Sequence, residues 1–256
     1  MHREGLISTK QLEYLSGPPD PRPRRFYILP KIHKNADSWT VPSKMPPGRP
    51  IISNINSEND RVSEYVESFL QPLACKHKSY IKNSYDFIEK IKNLKISKDT
   101  YIVTGDITNL YTNMHHDYTI ASLQNIFNKY PQNNRPDKHL IDIIKIILEN
   151  NDFEFNGETF LKCLGCSMGT RVGPSCANIY LLKFDEAAMQ GFHIKPIIFF
   201  RYLDDVFFLW SGSIEELKEY ENYLNAITPD IKITLEANKL ASNFLDITIY
   251  KKTYRQ

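Results

Sequence analysis

Apolar and polar residues alternate along this chain with two periods, and these periods predict an order of helices and strands. Between residues 137 and 150 the helical period places Leu140, Ile143, Ile144 and Ile147 on one face. The same period predicts helices at 59–78, 85–94, 118–129, 174–190 and 214–226. Strands are predicted at 27–32, 51–55, 101–105, 153–155, 159–161, 197–200, 206–210, 231–236 and 244–251. This order predicts an α+β fold, in which helices lie behind an antiparallel sheet.

Two proline-rich segments interrupt the pattern near the amino terminus. Residues 16–23 contain too many prolines for a helix or a central strand, so residues 1–24 are predicted to form an extended leader. A second cluster, at 42–50, predicts a loop between two strands that carries Lys44 and Arg49.

Adjacent carboxylates mark the strongest candidate for chemistry. Asp204 and Asp205 stand between the apolar runs 197–200 and 206–210, which predicts a hairpin with its acids at the tip. Burying ionised carboxylates is costly unless a positive charge lies against them, so this pattern favours a site for divalent cations. The alternative is an ordinary structural turn, because aspartate is common in β-turns.

A third carboxylate, Asp106, follows the strand-like run 101–105 and would also project from a strand end. Hard cations such as Mg²⁺ prefer oxygen ligands, and two such ions about 3.5–4 Å apart can promote an in-line displacement at phosphorus. The residue types therefore suit phosphoryl or nucleotidyl transfer. The alternative is that Asp106 only caps the helix that follows it.

Four ordered motifs resemble those of a reverse transcriptase palm. They occupy residues 106–113, 165–170, 202–205 and 243–247, and residues 26–34 and 48–53 resemble the fingers of Penelope-like element reverse transcriptases. The resemblance runs from about Phe26 to Tyr250. It implies a fingers–palm fold, with fingers at 25–100, part of 112–165 interleaved with them, and a palm at 101–256 that includes a primer-grip hairpin.

The resemblance implies an RNA-directed DNA polymerase of a Penelope-like retrotransposon, a nucleotidyltransferase. Asp106 and Asp204 would bind two Mg²⁺ ions, for which Mn²⁺ could substitute, and Asp205 would support them. The partners implied are an RNA template, a DNA primer and deoxynucleoside triphosphates.

The motifs also imply a nucleotide-binding set. Tyr111 stands where the family carries a bulky side chain under the sugar of the incoming nucleotide, as a steric gate against a 2′-hydroxyl. Met168 and Gly169 would press on the nascent base pair, and Lys31 and Arg49 would hold the triphosphate. The alternatives are a half-buried tyrosine and a pair of surface cations. Gly173 departs from the family, which usually has serine there.

Further roles are implied on the nucleic-acid side of the site. Phe244 and Leu245 fall at the primer grip, where Asp246 is expected to be structural. Lys239 is a candidate for protonating the leaving pyrophosphate, and Arg171 for contacting template phosphate; plain solvation is the alternative for both. His33 and Lys34 would extend the basic strip.

Composition and charge fit this interpretation without requiring it. The chain has 256 residues and a net charge of +2, yet residues 1–100 hold 17 Lys/Arg against 11 Asp/Glu, which favours the amino-terminal part as the nucleic-acid face. Four cysteines and no signal-peptide pattern predict an intracellular protein, and the resemblance implies the nucleus. Cys163 and Cys166 have zinc-like spacing but no second pair, so packing is expected. No apolar run approaches the ~20 residues that span a bilayer, so no membrane partner is expected.

The chain ends at Gln256, just after the presumed primer grip, so we expect no thumb and no GIY-YIG nuclease, and weak binding to duplexes. Two alternatives stay open. One is an inactive nucleic-acid-binding remnant of a retroelement polymerase. The other is a telomerase-like enzyme in a ribonucleoprotein. An RNA-dependent RNA polymerase is disfavoured by Tyr111 and by Leu203, where many such enzymes carry glycine.

Overall fold

A computed structural model describes residues 1–32, 39, 44–228 and 230–251. The basic strip expected at His33 and Lys34 lies outside the described residues. The helices are α1 (Thr9–Leu15), α2 (Asp60–Ala74), α3 (Ser84–Ile91), α4 (Leu110–Asn113), α5 (His116–Lys129), α6 (Asp137–Glu149), α7 (Gly173–Tyr180), α8 (Leu182–Gln190) and α9 (Ile214–Ile227). The strands are β1 (Arg25–Pro30), β2 (Gly48–Ser53), β3 (Tyr101–Thr108), β4 (Asp152–Phe155), β5 (Glu158–Leu161), β6 (Phe199–Tyr202), β7 (Asp205–Trp210), β8 (Lys232–Asn238), β9 (Ala241–Phe244) and β10 (Ile247–Tyr250).

The chain divides into two compact units. The first unit contains Met1–Leu70 and Met114–Ser175, and the second contains Gln71–Asn113 and Cys176–Gln256. The expected fingers, 25–100, therefore do not match either unit, because residues 71–100 belong with the second. The physical reason is hydrophobic: Ile81 and Phe87 are buried in one cluster with Ile102 and Phe207.

In the first unit, a four-stranded sheet has the order β2-β1-β4-β5. Its neighbours are antiparallel except β1 and β4, which pair in parallel at Arg25 and Glu154. Beside it, α5 and α6 pack through residues at helical spacing, as the apolar period predicts. On α6 the buried positions are Leu140, Ile141, Ile144, Ile147 and Leu148, whereas Ile143, predicted on the same face, is only half-buried.

Helix α1 corrects the extended leader predicted for residues 1–24. Its first turn is fixed by a capping box, in which the Ser8 hydroxyl accepts from the backbone of Gln11 and the Gln11 side chain accepts from the backbone of Ser8. The Tyr14 hydroxyl then donates to Glu64 on α2 at 2.8 Å. The prolines end this helix but do not prevent it, because they lie beyond its last turn.

A carboxyl of the first unit is buried at a cost. The Ser175 hydroxyl donates to one oxygen of Glu67 at 2.7 Å, while the other oxygen is buried without a hydrogen-bond partner among the described residues. Burial, opposed by the Ser175 hydrogen bond, raises the pKa of Glu67 from 4.5 to about 7. The folded protein therefore holds this proton more tightly than the unfolded chain does.

Replacing Glu67 by glutamine should stabilise the protein in a pH-dependent way. The charged form opposes folding, so its penalty is absent below about pH 4.5 and complete above pH 7. Allowing for partial exposure, Glu67→Gln should raise the free energy of unfolding by about 2 kcal/mol at pH 8 and leave it nearly unchanged at pH 4. Urea titrations at both pH values measure this, with the exposed Glu58→Gln as control. An equal gain at both pH values would contradict the burial of a charge as the cause.

In the second unit, the antiparallel sheet has the order β6-β7-β3-β8, and β9 and β10 form a separate hairpin. Aromatic rings form a cluster in the core of this unit: the ring centroid of Phe87 lies 4.8 Å from that of Phe207 and 4.7 Å from that of Phe244. Two predicted elements are each divided. The helix predicted at 174–190 is α7 and α8, and the strand predicted at 244–251 is mostly β10, preceded by a turn.

Mixed helices and mainly antiparallel sheets confirm the predicted α+β class. Within the described part of the chain, no helix has the length and apolar character needed to cross a membrane.

Candidate active site

Two of the predicted carboxylates face each other on neighbouring strands. Asp106, near the end of β3, is the register partner of Asp205, the first residue of β7. The next backbone N–H, of Ile107, donates to the carbonyl of Asp204 at 2.8 Å. Because hydrogen-bonded and non-hydrogen-bonded pairs alternate along an antiparallel ladder, Asp106 and Asp205 form a non-hydrogen-bonded pair, the kind with the closest side chains.

The third carboxylate lies in the turn that joins β6 to β7. Tyr202 pairs with Asp205, so Leu203 and Asp204 form a two-residue turn. Leu203 has a φ of 54°, as mirror-image hairpin turns require. Tyr202 packs against the aromatic cluster, which holds one side of the turn in place. The aspartate hairpin predicted from the sequence is therefore present, with Asp204 at its tip.

The chemistry of these donors fits a divalent cation. Like charges directly opposite one another on a sheet repel, and Asp106 is exposed while Asp204 and Asp205 are half-buried. Carboxylate oxygens are the ligands that Mg²⁺ prefers, and two or three of them are its usual protein share. Among the described residues, no three His, Cys, Asp or Glu side chains already form a cluster able to hold a metal ion. The backbone thus brings the donors together, and their final geometry depends on the side chains.

Tyr111 lies on α4, five residues after Asp106. Asn109, with a φ of 54°, turns the chain out of β3, and its carbonyl accepts from the Thr112 hydroxyl at 2.9 Å. The Asn113 side chain fixes the end of the helix by donating to the carbonyl of Asp230 at 3.0 Å. Tyr111 is half-buried, on the helix that begins two residues after the end of the strand that carries Asp106.

Lys31 and Arg49 share one face of the sheet in the first unit. Arg49 is the register partner of Leu29, and the Lys31 backbone continues the ladder by donating to Pro47 at 2.8 Å. Residues two apart on a strand point to the same face, so the two basic side chains are diagonal neighbours with about 7–8 Å between their backbones. Arg49 is exposed and Lys31 half-exposed, which leaves this pair able to meet an anionic ligand.

Met168 and Gly169 are fixed to the strand that carries Arg49. The carbonyl of Met168 accepts from the backbone of Ile52 at 3.0 Å. Gly169 has a φ of 129°, and a Cβ there would lie 2.3 Å from the Ile52 carbonyl oxygen. Only glycine allows this approach. Gly169 therefore lets the backbone of the loop lie directly against the backbone of β2.

Arg171, the candidate for contacting template phosphate, has an internal partner. Its Nε donates to Asp60 at 2.6 Å, and its guanidinium lies 4.0 Å from Glu64. Burial works in the opposite direction, but the hydrogen bond and charge of Arg171 lower the pKa of Asp60. The structure therefore gives Arg171 a role in tying the loop to α2.

The predicted primer-grip residues differ in exposure. Phe244 is buried and its ring lies 5.4 Å from that of Phe207, so it cannot contact a primer and instead anchors the hairpin. Leu245 is half-buried at the turn, with a φ of 53°. The Ser84 hydroxyl donates to Asp246, which fits the structural role expected for that carboxylate. This burial corrects the prediction for Phe244: its neighbour on β9, Asn243, is exposed, and successive residues of a strand point to opposite faces.

Lys239 does not reach the aspartates. Its ammonium lies 4.8 Å from the ring centroid of Tyr101, at the opposite end of β3 from Asp106. Five residues of strand separate Tyr101 from Asp106, about 17 Å. A lysine side chain does not span that distance, so Lys239 is not placed to protonate pyrophosphate formed beside Asp106.

Sequence reasoning missed a buried ion pair beside the aspartate turn. Arg201, on β6, and Asp185, on α8, have side chains that are 3% and 0% exposed, and they lie 2.7 Å apart. A signal was available, because Arg201 interrupts an otherwise apolar strand and a buried charge requires a partner. The sequence offers many carboxylates, however, and does not identify Asp185 as that partner.

The chain matches a family at the level of sequence. A model of the family described as "Reverse transcriptase (RNA-dependent DNA polymerase)" matches residues 34–244. No curated protein sequence matches the chain.

Solved structures show the same fold at low identity. Apo telomerase from Candida tropicalis is 11% identical, with a TM-score of 0.64, over 97% of this chain and 51% of that one. Telomerase from the same organism, in complex with a TWJ fragment of telomeric RNA, is 13% identical with a TM-score of 0.60, over 89% of this chain and 43% of that one. The BmCPV RNA-dependent RNA polymerase at the elongation state is 9% identical with a TM-score of 0.62, over 97% of this chain and 22% of that one. This chain thus spans about half or less of the length of these structures.

Proposed function

From the premise that this chain belongs to the reverse transcriptase family, we propose that it adds deoxynucleotides to a DNA primer on an RNA template. The observation that carries the proposal is the pairing of Asp106 with Asp205 on adjacent strands, with Asp204 in the turn beside them. The chain is a reverse-transcriptase domain, a nucleotidyltransferase, and its fold is that of polymerase fingers and palm.

Three carboxylates would hold two Mg²⁺ ions, or Mn²⁺ in their place. Asp106 and Asp205 present oxygens from facing strands, and Asp204 adds its own from the turn. When bound, such cations lower the pKa of the primer 3′-hydroxyl and neutralise charge on the leaving pyrophosphate. The contribution of the chain is to fix these oxygens on paired strands, so that the donors need little reorganisation.

Basic side chains of the first unit support the nucleotide half of the proposal. Arg49 would bind phosphate oxygens in a bidentate manner, and Lys31 would add a second positive charge on the same sheet face. The loop at Met168 and Gly169 is attached to the same strand through Ile52, so a base pair resting on this loop would be positioned together with the triphosphate. Leu245 would contact the primer, and base pairing would supply the sequence specificity.

We also propose that the chain is the polymerase of a Penelope-like element. The motifs at 26–34 and 48–53 resemble Penelope-like elements, which suggests a retrotransposon polymerase acting in the nucleus. The similarity in fold to telomerase does not favour a telomerase function, because a sequence identity of 11% shows only a shared fold.

The test is extension of a labelled DNA primer annealed to an RNA template, with Mg²⁺ and the four deoxynucleotides. We expect stepwise, template-dependent products that disappear when the metal is chelated. Incorporation that ignores the template base, or no incorporation with Mg²⁺ or with Mn²⁺ in its place, would contradict the proposal and favour the inactive remnant.

A further inference from the structure

The structure assigns a positioning role to Arg201, which we propose holds the turn of the catalytic aspartates through the carbonyl of Leu203. This inference rests on the proposed polymerase function. It concerns a residue outside the aspartate motif, and it follows from the hydrogen bonds of a single buried guanidinium.

Arg201 uses all five of its N–H donors inside the second unit. Nε and Nη2 donate to the two oxygens of Asp185 at 2.8 and 2.7 Å, a bidentate pair. Nη1 and Nη2 donate to the side chain and the backbone carbonyl of Asn178 at 2.9 and 3.3 Å. The remaining bond runs from Nη1 to the carbonyl of Leu203 at 3.0 Å. A guanidinium is planar, so fixing four of these bonds fixes the direction of the fifth.

Asp185, the other member of the ion pair, is also fixed by hydrogen bonds. The Ser79 hydroxyl donates to Asp185 at 2.6 Å, and Nδ1 of His77 lies 3.3 Å from the same carboxylate oxygen. The backbone of Arg201 is fixed as well, because its N–H donates to Ser79 at 2.8 Å and its carbonyl accepts from Ile81 at 3.2 Å. Two helices, a loop and a strand therefore fix the position of one side chain.

The turn formed by Leu203 and Asp204 has a backbone conformation that a hydrogen bond would stabilise. Leu203 has a φ of 54°, a left-handed conformation that is sterically unfavourable for a residue with a Cβ. Its carbonyl precedes Asp204, so rotation of that peptide would reorient the carboxylate at the tip. The Arg201 bond opposes this rotation. Positioning by a rigid, buried group affects the rate of the chemical step more than the binding of substrates.

The experiment compares Arg201→Lys with a matched control, Arg135→Lys. Arg135 is also buried and also pairs with an aspartate, Asp137, but its hydrogen bonds lie around the α5–α6 junction of the first unit. Both substitutions replace a buried guanidinium by an ammonium group, which has fewer hydrogen-bond donors, so both should lower the melting temperature. Only Arg201→Lys should slow single-turnover nucleotide addition, by about tenfold to a hundredfold, with the Kd values for primer–template and nucleotide changed less than about threefold.

A second readout keeps the proposal separate from the polymerase assignment. Electron paramagnetic resonance measures Mn²⁺ binding without turnover, and Asp106→Asn supplies the background. We expect Arg201→Lys to weaken the Asp106-dependent Mn²⁺ binding at least about fivefold, with Arg135→Lys unchanged. If the wild type binds Mn²⁺ but does not extend primers, the proposed function fails and this comparison still decides the role of Arg201.

Equal rates and equal Mn²⁺ affinities for the two lysine variants would overturn the proposal. If Arg201→Lys does not fold, Ser79→Ala decides, because its hydroxyl contacts Asp185 and His77. We then expect the rate to fall about threefold to tenfold with unchanged substrate Kd values, and an unchanged rate would overturn the proposal.

Discussion

Replacing Asp106 by asparagine should lower the rate of nucleotide addition by about a thousandfold or more, equivalent to about 4 kcal/mol in the activation barrier. The amide keeps the size of the side chain but removes the charge that faces Asp205 across the ladder. Cation binding should weaken, because one of the three proposed carboxylate donors loses its charge.

The measurement is single-turnover extension at several Mg²⁺ concentrations, beside thermal melting. Asp142→Asn, an exposed carboxylate on α6, controls for the loss of one charge and should extend normally. An Asp106→Asn protein that extends within tenfold of the wild type would show that this residue is not a metal ligand.

Replacing Tyr111 by alanine should admit ribonucleotides. The proposed gate works by volume, since an aromatic ring under the sugar leaves no room for a 2′-oxygen. Removing it should reduce the preference for deoxynucleotides over ribonucleotides by about a hundredfold, mainly by raising ribonucleotide incorporation.

The matched control is Tyr111→Phe, which keeps the ring and removes the hydroxyl. It should retain the preference for deoxynucleotides, as measured by competing the two nucleotides on one template. If phenylalanine admits ribonucleotides as readily as alanine does, the hydroxyl and not the ring sets the preference, and the steric explanation is wrong.

Local patterns were enough to predict the aspartate hairpin. Apolar runs on both sides of Asp204 and Asp205 give two strands, and two polar residues between them leave room only for a tight turn. The position of Asp106 at a strand end follows in the same way. The register between the strands does not follow from local patterns. Asp205 faces Asp106 because β3 pairs with β7, which lies about a hundred residues further along the chain.

Long-range packing explains what the sequence could not give. Phe244 is part of a motif, but whether it faces a primer or the core depends on Phe87 and Phe207, which lie far away in the chain. The displacement of Lys239 from the aspartates follows from the direction of β8 beside β3. Helix α1 is a different case, since Ser8 and Gln11 are local signals that the nearby prolines obscured.

The buried partners of Arg201 show the same limit. A charged residue inside an apolar strand predicts a partner somewhere, and the identity of that partner is settled by the packing of α7 and α8 against β6. Comparison of motifs identifies residues that contact substrate. It does not identify Arg201, which donates a hydrogen bond to the backbone of the aspartate turn.

The most direct test of the central claim is metal-dependent extension of a DNA primer on an RNA template by the wild type and by the double variant Asp204→Asn, Asp205→Asn. We predict template-directed addition by the wild type with Mg²⁺ or Mn²⁺, and none above background by the variant, with equal binding of primer–template. Extension by both proteins at similar rates would contradict the assignment of these carboxylates as the catalytic centre.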